Sequence, residues 1–177
     1  MSQFVRLARV DDTAAMASLA LAAWRVGFHE LIPDELLTAL SSDQIAGAWQ
    51  HAIINPPSPG HRVLVATDAG VVRGYAAIAP ASDPDMATLV GVVEIVDLVV
   101  APNAVRQGHG SRLLHACADY ARDGGATSAV TWVSLVDEAR RAFFQSQGFG
   151  PDGALRELEE AGTTLKQVRL ATSFEDA

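Results

Sequence analysis

Two acids, Glu94 and Asp97, stand in an otherwise apolar run, Val92 to Val100, that leads straight into a glycine-bearing loop ending Gln107-Gly108-His109-Gly110. Each feature implies a chemistry. A carboxylate stripped of part of its water holds its proton more tightly and suits the work of a general base near neutral pH. Three residues apart on a regular strand, the two acids point to opposite faces, so only one serves a given cleft unless a bulge intervenes. The loop opens a helix. A helix that starts behind glycines presents free backbone N–H groups and the positive end of its dipole, and phosphate oxygens satisfy both. The first expectation is a phosphate cradle fed by an acid-bearing central strand.

The elements that must hold these residues follow from pattern. Apart from its two acids, Val92–Val100 is β-branched or leucine, the composition of a strand largely buried on both faces. Ala101-Pro102-Asn103 stops it, because proline cannot donate to a ladder. The helix behind the loop carries Leu113, Leu114, Cys117, Ala118 and Ala121 as its apolar stripe, and Gly124-Gly125 ends it. Upstream, residues 3–9 read as a first strand. Asp11 or Asp12 caps a long helix with Met16, Leu19, Ala20, Ala23 and Trp24 on one face, Pro33 opens a second, and Ser42 or Asp43 caps a third. Val63–Ala66 and Val71–Ile78 form strands joined by the hairpin signal Asp68-Ala69-Gly70, and residues 80–89 are a polar loop. Thr127–Ser134 is the fifth strand. Asp137 caps a last helix that Gly148 closes, with Phe149 packing back on it. A hairpin of roughly 154–160 and 163–171 turns at Ala161-Gly162. The pattern is α/β with a mixed sheet, in one domain over 1–177.

Spacing separates three kinds of phosphate loop. A nucleoside-triphosphate loop needs a lysine after its last glycine, and none follows Gly110. A dinucleotide fingerprint needs a third glycine where Leu113 stands. The third kind, Gln/Arg-x-x-Gly-x-Gly/Ala, fits Val105-Arg106-Gln107-Gly108-His109-Gly110 at every position except the first. That loop, the preceding Leu98-x-Val100 with Pro102, and the following Ser111-Arg112-Leu113-Leu114 resemble the long central motif of the GNAT superfamily of N-acetyltransferases. Ala142-Phe143-Phe144-Gln145-Ser146-Gln147-Gly148-Phe149 is similar to its second motif, and the resemblance covers nearly the whole chain.

The resemblance implies the GNAT fold: a mixed, mostly antiparallel sheet of about seven strands flanked by helices, the fourth and fifth splayed. It implies acetyl-CoA as cosubstrate and no metal. The diphosphate is expected on Val105, Arg106, Gln107, Gly108, His109, Gly110 and Ser111. The pantetheine is expected along the main chain of Leu98, Val99 and Val100, where an N–H of Leu98 or Val99 meets the oxyanion. Ser134 stands where relatives often keep a pantetheine-contacting asparagine. Phe144 replaces a tyrosine that in many relatives protonates the departing thiolate, leaving that proton to water or a hydroxyl such as Ser134, or to none. Glu94, fourteen residues ahead of Gly108, resembles the histone-acetyltransferase branch at its catalytic glutamate; Asp97 is the reserve. The implied reaction is direct attack by a primary amine of a small molecule or peptide. The alternatives are a non-catalytic acyl-CoA-binding or sensor module and, more remotely, an O-acyl or longer-acyl transferase.

A net charge of −8 over 177 residues argues against nucleic acid and suits an amine acceptor. Arg106, His109, Arg112, Arg140 and Arg141 gather at the two motifs as the exception that an anionic coenzyme requires. No apolar run is long enough to cross a bilayer and no signal-peptide pattern is read, so no membrane partner is expected. A lone cysteine, Cys117, agrees with a reducing, cytoplasmic compartment and reads as a small core residue, while a bacterial source is implied only by the family resemblance. The acceptor pocket is expected from the region between the first and second helices, with Phe28, His29 and Glu30 in a stretch resembling a bacterial branch of unassigned acetyltransferases, and from the loop 80–89 before the central strand. Trp24, Trp49 and Trp132 are taken as packing residues, and His51, His61 and His115 share no metal-ligand spacing. Homodimers are common in the superfamily.

Overall fold

The computed structural model describes residues 3–27, 41–86, 90–160 and 163–174. Its strands are β1 Gln3–Leu7, β2 Arg62–Asp68, β3 Val71–Pro80, β4 Val92–Val100, β5 Ser128–Ser134, β6 Gly150–Glu160 and β7 Thr163–Ser173. Its α-helices are α1 Thr13–Gly27, α2 Ser42–Ile54, α3 His109–Asp123 and α4 Glu138–Ser146. The seven strands are ordered β1-β2-β3-β4-β5-β7-β6, with β4 and β5 parallel. The β1–β2, β2–β3, β5–β7 and β6–β7 pairs are antiparallel, so the sheet is mixed and mostly antiparallel, as expected. The helix expected at Pro33, the turn at Ala161-Gly162 and the pocket residues Phe28, His29 and Glu30 lie outside the described residues.

The chain forms two compact units, Met1–Ile78 with Asp97–Cys117, and Ala79–Val96 with Ala118–Ala177. In the first, Ala69 (φ 49°) and Gly70 (φ 80°) make the two-residue turn between β2 and β3. Positive φ at both central positions is the type I′ geometry whose twist matches paired strands. The core collects Met16 and Ala20 from α1, Val65, Tyr75 and Val99, and the Trp49 ring meets Tyr75 edge-on at 5.1 Å. Two caps differ from expectation. A 3-10 turn, Val10–Asp12, precedes α1, and the Asp12 carboxylate reaches backwards to accept the Arg9 N–H at 2.7 Å and the Arg6 guanidinium at 2.6 and 2.9 Å. Ser41 rather than Ser42 or Asp43 caps α2, its hydroxyl accepting the Asp43 N–H, because the helix begins one residue earlier than its acid suggests.

In the second unit the parallel ladder pairs Val92 with Ser128, Val93 with Ala129 and Glu94 with Val130. It takes three of the nine residues of β4. Just beyond it, the Thr131 hydroxyl donates to the Ile95 carbonyl at 3.0 Å. Val96 is 55% exposed, so β4 is not buried on both faces throughout, contrary to its composition. Asp137 caps α4 through the Arg140 N–H as expected. At the other end Gly148 (φ 89°) lets its own N–H reach the Gln145 carbonyl and the Phe149 N–H reach that of Phe144. The Phe144 and Phe149 rings meet at 5.3 Å, which completes this C-terminal motif. The last hairpin starts earlier than read, at Gly150, because a bulge between Pro151 and Leu155, with Gly153 at φ 95°, absorbs the break in alternation.

Candidate active site

In the first unit the end of β4 and the loop behind it are built around close backbone approach. A Cβ on Gly74 of β3 would lie 2.6 Å from the Val99 carbonyl oxygen and 3.2 Å from Leu113 Cδ1. Only glycine lets β3 come this near to Val99. Leu98 and Val99 are buried and Val100 is half-buried. Asp97 accepts a hydrogen bond from the Tyr75 hydroxyl at 2.9 Å, and that tyrosine is fully buried.

The loop then turns left-handed twice, at Arg106 (φ 60°) and Gly108 (φ 81°). The first is a strained state for a side-chain-bearing residue, held by its surroundings. Arg112, one turn into α3, folds back to hold it: its guanidinium donates to the Gln107 carbonyl and to His109 Nδ1, both at 3.1 Å. A Cβ on Gly108 would strike that guanidinium at 2.9 Å. The Arg112 N–H bonds the Gly108 carbonyl, which makes Gly108 the cap residue. The amides of His109, Gly110 and Ser111 therefore begin the helix without carbonyls four residues back. Val105, Arg106 and Gln107 are exposed beside them.

His109 departs from expectation. Its side chain is only 1% exposed, and burial together with the Arg112 charge holds its pKa below the ordinary value, so it is no cation. With Nδ1 accepting from Arg112, the proton sits on Nε2, which is buried and has no partner among the described residues; Asp68 Oδ1 is likewise buried and unpartnered.

The second unit gathers a charged cluster on one face of its sheet. Register decides which residues share it. Glu94 is aligned with Val130, two residues from Trp132; Trp132 pairs with Arg169, and Gln167, two residues from that, pairs with Arg156. Since partners and second neighbours point the same way, Glu94, Trp132, Arg169, Gln167 and Arg156 project from one face. Arg169, 4% exposed, donates to Asp152 at 2.7 Å, to Asp85 at 2.9 and 2.6 Å and to Asp83 at 3.4 Å. Trp132 Nε1–H donates to Asp83 at 3.0 Å. The guanidinium carbons of Arg156 and Arg169 lie 4.4 and 5.4 Å from the centre of the Trp132 ring. Burial, then the charge of Asp83, raises the Glu94 pKa above its ordinary value; Arg156 and Arg169 oppose the rise. Its face carries a proton-hungry carboxylate.

Two expected coenzyme residues of this unit are engaged in packing and turn geometry. The Phe144 ring is wholly buried beside Phe143 and Phe149, with the Arg140 guanidinium 5.6 Å away. Ser134, 9% exposed, accepts the Val136 N–H at 3.4 Å. Trp132 is more than packing, since it carries a hydrogen bond and two cations. Sequence reasoning missed Tyr75, Asp83, Asp85, Asp152, Arg156 and Arg169. The alternation Gln167-Val168-Arg169-Leu170 was a signal, but alone it reads as a solvated strand face.

The sequence profile of the acetyltransferase (GNAT) family matches residues 15–149. The chain belongs to this family. Among relatives of this GNAT protein, the uncharacterized N-acetyltransferase YuaI of Bacillus subtilis (strain 168) is 27% identical over 168 residues, covering 94% of this chain and 90% of the relative. Mycothiol acetyltransferase of Mycobacterium sp. (strain JLS) is 33% identical over 147 residues, 79% of this chain; the match spans 44% of that longer protein. The fold matches that of yncA, a putative acetyltransferase from Salmonella typhimurium solved with its cofactor acetyl-CoA. There the TM-score is 0.74 at 22% identity, with 100% of this chain and 96% of that one covered.

Proposed function

We propose that this GNAT protein transfers the acetyl group of acetyl-CoA to a primary amine of a small molecule or peptide by direct attack, with Glu94 as general base. The single observation that carries the reading is the setting of Glu94: half-buried, its pKa raised by desolvation, on the face that also bears Asp83, Trp132 and Arg156. An alkyl ammonium has a pKa of about 10 and must lose a proton before its nitrogen can attack. A carboxylate with a raised pKa is a better-matched acceptor for that proton than an ordinary one. Asp97, already bonded to a buried tyrosine, is the weaker candidate.

The residues present fit the coenzyme. The left-handed Arg106 and Gly108, the amides of His109, Gly110 and Ser111, and the exposed Val105 and Gln107 supply a concave row of donors suited to a diphosphate. Arg106 adds a cation. Neutral His109 contributes its backbone, with its ring packed beneath. The main chain of Leu98, Val99 and Val100 is the segment for the pantetheine arm, with Ser134 and Phe144 as supporting positions. Acetyl-CoA supplies an activated acyl group whose thiolate leaves readily at neutral pH, so the missing tyrosine at Phe144 does not preclude transfer. A cytoplasmic setting belongs to the same proposal; among the described residues no helix is long and apolar enough to cross a membrane.

The test is thiol release from acetyl-CoA against polyamines, amino acids, aminoglycosides and peptides. Turnover that falls at least a hundredfold in Glu94→Gln, with coenzyme affinity intact, supports the reading. Tight coenzyme binding with no turnover across the panel favours the binding-module alternative instead.

A further inference from the structure

The charged face of the second unit holds one cation whose arrangement the proposed chemistry leaves unused. Glu94 on β4 and Arg156 on β6 are three strands apart in the order β4-β5-β7-β6. At about 4.8 Å per step that is ~14 Å across the strands, and the register adds ~13 Å along them, since Glu94 is level with Val130 and Arg156, through Gln167, with Ser134. The Arg156 side chain closes part of that gap, lying back across β7 so that its guanidinium sits over the Trp132 ring on β5 at 4.4 Å, one strand from Glu94. There it stops. No Glu94–Arg156 ion pair forms among the described residues, although both side chains are half-buried and share one face.

Its neighbour Arg169 is fully committed, with all three guanidinium nitrogens on carboxylates. Arg156 is not. Its one hydrogen bond among the described residues runs from Nε to Gln167 Oε1 at 2.7 Å, so the two η nitrogens make none there. A guanidinium held over an indole by its carbon can still offer η N–H groups, and a carboxylate accepts two such N–H groups in parallel. Acids stand on the other side of the same surface: Glu94, and Asp83 held by Trp132 and Arg169. Burial disfavours the charge of Arg156, and Glu94 and Asp83 offset part of that cost.

We propose that Arg156 receives a carboxylate of the acceptor, so that the acceptor is an amino-acid-like zwitterion whose ammonium faces Glu94 and whose acid faces the guanidinium on Trp132. The assignment rests on the proposed role of Glu94 as base and narrows the acceptor class. It also couples binding to chemistry, because an acceptor carboxylate that neutralises Arg156 removes a cation that holds the Glu94 pKa down.

The experiment compares free amino acids with their carboxamides, pair by pair, in thiol release at saturating acetyl-CoA, for the intact chain, Arg156→Gln and Arg156→Lys. A hydrogen-bonded charge pair of this kind corresponds to about a ten- to hundredfold effect. Free acids should exceed their amides by that factor in kcat/KM. Arg156→Gln should bring the ratio toward one through KM, and Arg156→Lys should recover part of it. In Arg156→Gln the acid limb of the pH–rate profile should also move to higher pH, a shift that lost packing alone would not produce. Should no pair turn over, N-acetyl amino acids and their amides are titrated calorimetrically. Tighter binding of the acids, abolished in Arg156→Gln, supports the inference; equal affinities, or no binding of either, overturn it. Amides preferred over acids, with turnover still dependent on Glu94, would leave the transferase reading standing and sink this one.

Discussion

Gly74→Ala is the perturbation whose consequence the structure fixes most closely. The new methyl would sit 2.6 Å from the Val99 carbonyl oxygen and 3.3 Å from Val100 Cα, both backbone atoms that no rotamer change can move. An ordinary carbon–oxygen contact is about 3.3 Å, so β3 and β4 must part locally by ~0.7 Å. The next link along, Ala101 N–H to the Arg73 carbonyl, is 2.8 Å; the same opening would take it to the edge of hydrogen bonding. Overpacking costs about 1–3 kcal/mol and a weakened hydrogen bond about 0.5–1.5 kcal/mol, together about 2–4 kcal/mol. For a chain of this length that lowers Tm by about 4–16 °C. The assay is urea and thermal unfolding, paired with calorimetric titration of coenzyme A, whose affinity should fall because residues 98–100 are the proposed pantetheine segment. Gly47→Ala in α2 is the control of opposite sign: nothing lies within 4 Å of its Cβ, and it should stabilise by up to about 1 kcal/mol. A Gly74→Ala protein within about 0.5 kcal/mol of the parent, a surface-like effect, would refute the steric reasoning.

Glu94→Gln should separate activity from stability. Because the folded state raises this pKa, it binds more protons than the unfolded chain from about pH 4.3 upward, so Glu94 costs stability as pH rises through that window. The variant should lose about 10²–10⁴ in kcat. Its urea midpoint should equal or exceed the parent's at pH 8 and match it at pH 4. Asp12→Asn should do the reverse: the Arg6 hydrogen bonds hold the Asp12 pKa low, so its contribution is present above about pH 3.9 and disappears as pH falls through the folded value. A loss of about 1–3 kcal/mol at pH 7 that shrinks in acid is expected from denaturant unfolding. Arg169→Gln strips Asp83 and Asp152 of their shared partner and should cost about 3 kcal/mol, the low end for a broken buried pair, since Asp85 is largely exposed; tryptophan fluorescence should report the disturbed Trp132. Cys117, its thiol pKa pushed up to about 12 by burial, should resist iodoacetamide at pH 8 until urea unfolds the chain.

Local rules were enough for much of this molecule. β4 is bounded as its composition dictates, the hairpin turns at Ala69-Gly70 as two positive φ angles require, and Gly148 closes α4 because a left-handed residue must follow the last turn. Ser41 was missed as a cap because several good caps stood in a row. The burial of His109 was missed because a first-turn residue ordinarily faces outward, whereas here the imidazole is buried and accepts a hydrogen bond from Arg112.

By itself the sequence determined the strand–loop–helix unit, the family and the candidate base, because these depend on contacts between residues close along the chain or on spacing that a fold family imposes. Only the tertiary structure decided what surrounds Glu94. Asp83 and Arg169 are 86 residues apart, and Arg156 reaches Trp132 because β7 lies between their strands. Alternation says that a side chain leaves the core face; register alone says which charges it meets there.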